Sequence, residues 1–194
     1  MTSQALEKLA AADALRCAAC PAEAPLGGHA PAVAGVLAAL RAEDWWCPGP
    51  RERVGAVLRG VEVAEVLDPL VGAAAVRIAP TTASTRPLLA VGIALATPEA
   101  AVAVHLGMAH LGDGSLHEAL NLAALQRARV RFLVHVRSLS GAPVPPQAAA
   151  SAMDLAAAHG VAARELDGLD AAAVAEAVRE VADVHAPVLF VVRT

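Results

Sequence analysis

Residues 101–136, AVAVHLGMAHLGDGSLHEALNLAALQRARVRFLVHV, decide the fold. Residues 102–106 form a short apolar run of strand length, and Val130–Val136 is apolar and β-branched. Between them, residues 116–126 have helical spacing: Leu116, Leu120, Ala123 and Ala124 share one face, with Leu122 and Leu125 close beside it. A strand, a helix and a strand in so short a length make a parallel crossover. The chain therefore reads as α/β, with a central, mainly parallel sheet. Ligands of such sheets lie beyond the carboxyl ends of the strands, here residues 107–114 and 137–141.

Outward from this unit, residues 4–20 read as a helix, with Leu6, Leu9, Ala10, Ala14 and Cys17 at helical spacing and Ser3 as its N-cap. Residues 21–28 are a Pro- and Gly-rich loop, and 31–40 an apolar helix. A short aromatic segment, Asp44-Trp45-Trp46-Cys47-Pro48, leads into Arg51-Glu52-Arg53 and then Leu58-Arg59-Gly60. Residues 63–67 read as a short helix ended by Asp68-Pro69, and 72–79 as linker or strand. After the central unit come a Pro-rich turn at 141–146, an Ala-rich helix at 147–159 and a strand at 161–166. Asp170 then caps a helix over 171–185, and a last strand follows at 188–192.

The 194 residues amount to one domain, long enough for a proper core, and divide into an N-terminal helix and loop (1–27) and a single domain (28–194). The net charge of −4 gives no basic field for nucleic acid or anionic lipid. Hydrophobic residues make up 57%, above the usual ~45–50%, which suggests an apolar surface kept for a partner. The apolar run 88–96 stops at Pro98 and Glu99, short of the ~20 residues a membrane helix needs. The start of the chain lacks the pattern of a secretory signal, and three cysteines suit a reducing compartment, so a cytoplasmic location is expected. Cys17-Ala18-Ala19-Cys20 has redox or metal spacing, but no second pair completes a zinc site, so the thiols read as small packing groups.

His117-Glu118-Ala119-Leu120-Asn121, followed by Ala123-Ala124, resembles the thiamine-diphosphate-dependent alpha subunit of 2-oxoacid dehydrogenases of the pyruvate, branched-chain and acetoin types. Several other segments match the family in the same order. They are Gly28 with Gly35 and Ala38-Ala39-Leu40, Asp44 to Gly60, residues 80–92, Leu166-Asp167-Gly168-Leu169-Asp170, and Ala186-Pro187-Val188-Leu189. The resemblance covers about residues 28–193 and implies a three-layer thiamine-diphosphate-binding fold. It also implies a site shared with a beta subunit, which supplies the glutamate that activates the cofactor. Family members continue beyond the equivalent of Thr194 into a loop with an active-site histidine, so that part of the site is expected to be missing here.

In the family an Asp at the end of the first strand of this unit, and an Asn after the next strand, hold the Mg²⁺ that grips the diphosphate. Aligned without gaps from Glu118, Gly107-Met108-Ala109 stands in place of Gly-Asp-Gly, and Val136-Arg137 in place of Asn-Asn. Mg²⁺ wants hard oxygen ligands; Met108 offers a soft thioether and Arg137 a fixed positive charge. Gly112-Asp113-Gly114 spells the metal motif five residues nearer Glu118, and using Asp113 would need a shortened loop. In the family's Tyr-Arg-Glu-His motif Arg51 keeps the diphosphate-binding Arg, while Pro50 and Arg53 replace the Tyr and His. Thr81 and Ala83 fall where backbone groups touch the aminopyrimidine ring. His29 and Ala30 stand where the family has Gln and Glu.

Three readings follow. The first is a catalytically silent alpha-like subunit without cofactor, kept for assembly or regulation with a beta-like chain or as a homodimer. The second is a working decarboxylase component with thiamine diphosphate and Mg²⁺, using Asp113. The third is a metal-free binder of a phosphate or carboxylate through Arg51 and Arg137. His110 and His117 could flank the cleft as acid–base groups, though no nucleophile stands beside either; His105, His135 and His159 read as packing or surface residues.

Overall fold

The structure is a computed structural model that describes residues 3–21, 24–66, 77–79, 82–136 and 148–194. Seven α-helices and five strands are present among the described residues. In chain order they are α1 (Ser3–Ala19), α2 (Ala30–Ala39), β1 (Trp45–Cys47), α3 (Val63–Val66), α4 (Arg86–Ala96) and β2 (Val102–Gly107). There follow α5 (Gly114–Gln126), β3 (Val130–Val136), α6 (Ala152–Ala158), β4 (Ala162–Asp167), α7 (Ala171–Glu180) and β5 (Val188–Arg193). Three 3₁₀ segments, Gly27–His29, Glu52–Arg59 and Met108–Gly112, complete the set.

The sheet has the order β1-β2-β3-β5-β4 and every pair is parallel. Handedness explains where the helices lie. From β3 to β4 the chain moves outward past the place of β5, and from β4 to β5 it moves back. Right-handed crossovers then require the two connecting helices to take opposite faces. They do: α6 packs with α4 and α5 on one face, and α7 with α1 and α2 on the other.

Alternation along the strands feeds both layers. Val102, Val104, Leu106, Phe132, Val134, Leu189 and Val191 face α4–α6. Ala103, Leu133, Val188, Phe190 and Val192 face α2 and α7. Gly35 brings α2 and α7 together, because a Cβ there would lie 2.6 Å from the Ala171 carbonyl oxygen and 2.8 Å from Val174 Cβ. Buried Asp44 ties the chain entering β1 to the start of β2, accepting the amides of Arg41 at 2.9 Å and Ala101 at 2.8 Å. At the far edge, β4 carries Arg164, Glu165 and Asp167, charges that guard an open strand edge.

Three differences from the sequence reading have identifiable causes. The helix read over 147–159 starts only at Ala152, because Ser151 and Asp154 form a reciprocal capping box that fixes the start. The helix read over 171–185 ends at Glu180. Beyond it, Arg131 takes the carbonyls of Val181, Val184 and Ala186, and Arg129 that of Ala182, so these oxygens need no further helix. Ser3, read as the first N-cap, lies within α1, where its hydroxyl donates to the Glu7 carboxylate. The linker or strand read over 72–79 lies largely outside the described residues; within them Ile78 makes a parallel bridge to Trp46. The turn read at 141–146 also lies outside them. No helix among the described residues is long and apolar enough to cross a membrane.

Candidate functional site

The carboxyl ends of β1, β2 and β3 open onto a cavity of about 480 Å³. Arg51 and Glu52 come from the start of the 3₁₀ segment after β1, and Arg86 from the first turn of α4. Gly107, Ala109 and His110 follow β2, and His29 stands at the entrance to α2. Arg16 and Ala83 also line it. Glu52 is the one carboxylate among the lining residues, against three arginines. Arg16 is itself paired with Asp13, 2.6 Å away.

Behind one wall lies a buried polar cluster. His105 on β2 and His135 on β3 project to the α2 side of the sheet, where His105 Nδ1 and His135 Nε2 are 2.8 Å apart. The His135 ring stacks on His29 at 4.3 Å, tilted by 8°. His29 Nδ1 meets Glu52 Oε1 at 2.6 Å. A Cβ on Gly49 would touch both Glu52 Oε2 and Arg86 Nη1, which puts the guanidinium on the side of the second carboxylate oxygen. Arg86 also donates to the His105 carbonyl at 3.3 Å.

Burial sets the charges. It drives the His105 imidazole down to about 4, with Arg86 adding to the shift and Glu52 opposing it. It drives His135 well below its ordinary value as well, aided by His105. For Glu52 burial acts upward but is outweighed by the hydrogen bond from His29 and the surrounding positive charge, so the carboxyl stays well below the usual carboxylate range. Glu52 is thus an anion held between His29 and Arg86. Cys47 next to this wall is pushed up to about 12 by burial and is a closed thiol.

Of the residues singled out from the sequence, Arg51, Ala83, Gly107 and Ala109 line this one cavity. Met108 does not: it borders a separate cavity of about 270 Å³ with Leu111, Val136 and Met153. β2 ends at Gly107, so Gly107-Met108-Ala109 stands directly at the strand end. Asp113 is the N-cap of α5, its carboxylate accepting the Ser115 amide at 3.0 Å, and it is not among the cavity's lining residues. Thr81 and Arg137 lie outside the described residues. The two histidines weighed as acid–base groups separate. His110 lines the cavity, its ring nitrogens 3.1 Å from the carbonyls of Gly107 and Ala83. His117 points to Leu111 O and packs edge-on against His159, away from it.

Among the described residues the end of β2 presents no oxygen-donor side chain to the cavity, which does not fit an octahedral Mg²⁺ held by protein oxygens. The sequence reading missed the His29–Glu52–His105–His135 cluster. One signal was there: His105 and His135 occupy alternating inward positions near the ends of mostly apolar strands, where a polar side chain needs a partner.

Comparison with known proteins adds the family. A search of curated proteins finds no match. One similar solved structure is described as a candidate thiamin diphosphate-dependent enzyme from Mycobacterium smegmatis. It superposes with a TM-score of 0.57 at 17% identity, over 84% of this chain and 31% of that one. That likeness concerns the fold, and this chain spans less than a third of the neighbour's length. The family model described as dehydrogenase E1 component matches residues 7–187. With nearly its whole length matched, this chain belongs to the dehydrogenase E1 component family.

Proposed function

We propose that this chain is an alpha-like subunit of a 2-oxoacid dehydrogenase decarboxylating component that has lost its magnesium site, is catalytically silent, and serves assembly with a beta-like chain. The observation that carries this reading is the end of β2. In the gap-free alignment Met108 takes the place of the family's metal-binding Asp, and the residue borders the other cavity. Asp113, the candidate replacement, is committed to capping α5. Arg137 in the matching position after β3 would add a positive charge where the family has an amide oxygen.

Exposed apolar side chains among the described residues support the assembly role. Leu88, Leu89 and Leu95 on α4 and Leu122 and Leu125 on α5 are exposed, although the two helices pack side by side over the sheet. Leu125 is 71% exposed. Several large apolar side chains exposed on two neighbouring helices are consistent with an interaction surface. A beta-like chain is the partner that fits the family, and the cytoplasm is where the reading places the complex.

Native mass spectrometry of the complex isolated from the source cells tests both halves. The expected mass is this chain with a beta-like chain and no thiamine diphosphate or magnesium. A complex carrying both cofactor and metal refutes the loss of the site, and a homodimer or monomer refutes the beta-like partner.

A further inference from the structure

We propose that His29, Glu52 and His135 form a binding site for one divalent transition-metal ion of the zinc class, distinct from the magnesium positions of the family. The three residues come from three elements: the start of α2, the 3₁₀ segment after β1, and the end of β3. Each offers one donor atom, and these atoms lie within 4.8 Å of one another. All three residues are more than nine-tenths buried. Two imidazoles and one carboxylate are a donor set that holds Zn²⁺ in hydrolases and Fe²⁺ in oxygenases.

Geometry supports an ion over a merely packed cluster. Among the described residues His135 Nδ1, the nitrogen that would face the ion, is buried with no hydrogen-bond partner, while the unpartnered His29 Nε2 and His105 Nε2 would not bind it. A buried nitrogen without a partner calls for an explanation, and an ion is one. Ligands about 2.0–2.1 Å from a tetrahedral ion are about 3.3 Å apart. His29 Nδ1 and Glu52 Oε1, at 2.6 Å, are already inside that spacing and must part slightly, and one of the two stacked imidazoles must turn out of its parallel arrangement to aim its in-plane lone pair at the same ion. The proton they share leaves when the ion arrives. His105, 2.8 Å from His135, acts as the outer partner that fixes the ring of a metal-bound histidine. The cavity, lined by His29, Glu52 and His105, provides the entry path and room for a water on the ion.

Arg86 shapes the selectivity. Its guanidinium stands on the Oε2 side of Glu52 and repels any dication. With the carboxylate shared with Arg86, an ion gains here mainly through bonds to imidazole nitrogen, which favours Zn²⁺ or Co²⁺ over Mg²⁺.

The test uses chelator-treated, tag-free protein titrated with Zn²⁺, Co²⁺ and Mg²⁺ by calorimetry, in the wild type and in a Cys17→Ser/Cys20→Ser background. One equivalent of Zn²⁺ bound in both, with no Mg²⁺ uptake, is the expected result. His135→Phe keeps the stacked ring but removes the nitrogens, and Glu52→Gln keeps the shape but removes the charge. Each should weaken Zn²⁺ binding at least ~10-fold, with circular dichroism confirming the fold. Should both variants fail to fold, the Co²⁺ spectrum of the wild type decides: d–d bands without a thiolate charge-transfer band support the site. Absence of Zn²⁺ uptake, loss of uptake in the cysteine-free background, or unchanged affinity in folded His135→Phe overturns it.

Discussion

Replacing Arg131 with methionine should unfold the carboxyl end of α7 and cost the whole domain about 2–4 kcal/mol. Arg131 lies in the middle of the sheet and is 1% exposed. Its two terminal nitrogens serve three carbonyls of the segment after α7: Val181 at 2.5 Å, Val184 at 2.8 Å and Ala186 at 2.8 Å. Methionine fills the space of the aliphatic stem but donates nothing. A buried acceptor left without a donor costs about 1–3 kcal/mol. Val181 is buried and takes that cost in full, whereas Val184 is 40% exposed and water can replace part of its bond. Release of a buried guanidinium, whose pKa burial lowers to about 10, offsets some of the loss. Equilibrium urea unfolding at fixed protein concentration, followed by circular dichroism, measures the difference. A shift below about 1 kcal/mol with an unchanged slope would show that the α7 end is held by something other than Arg131.

Three further outcomes are expected. Gly35→Ala should lower stability by about 1–3 kcal/mol, because the added methyl meets the α7 backbone at 2.6 Å and cannot be moved aside cheaply; thermal melting checks it. Leu122→Glu with Leu125→Glu should dissociate the proposed complex with a beta-like chain while leaving the melting temperature of the isolated chain within a few degrees, as sedimentation and melting would show. Cys47, with its thiol pushed up to about 12, should resist iodoacetamide at pH 8 in the native protein. Cys17 and Cys20, half-buried and free, should be alkylated first, and all three should react in denaturant; rapid native labelling of Cys47 would contradict the burial.

What the sequence determined has local causes. Apolar runs of strand length gave β2, β3 and β5, and the 3.6-residue spacing of Leu116, Leu120 and Ala123 gave α5, because period and burial are properties of neighbouring residues. The family was legible for a related reason: its motifs are short segments in fixed order, and His117 to Ala124 carries one intact. The sequence also brought Arg51, Ala83, Gly107 and Ala109 to notice, and they line one cavity because each ends or follows an element that finishes at the same rim of the sheet. The strand order β1-β2-β3-β5-β4 was decided by tertiary structure, since it depends on which face each crossover takes. So were the end of α7, stopped by arginines some fifty residues earlier in the chain, and the meeting of His29, Glu52, His105 and His135. Those four residues are spread over more than a hundred positions. Only the parallel pairing of β2 with β3, and the packing of the α2 entrance above them, gives their nitrogens and carboxylate a common address.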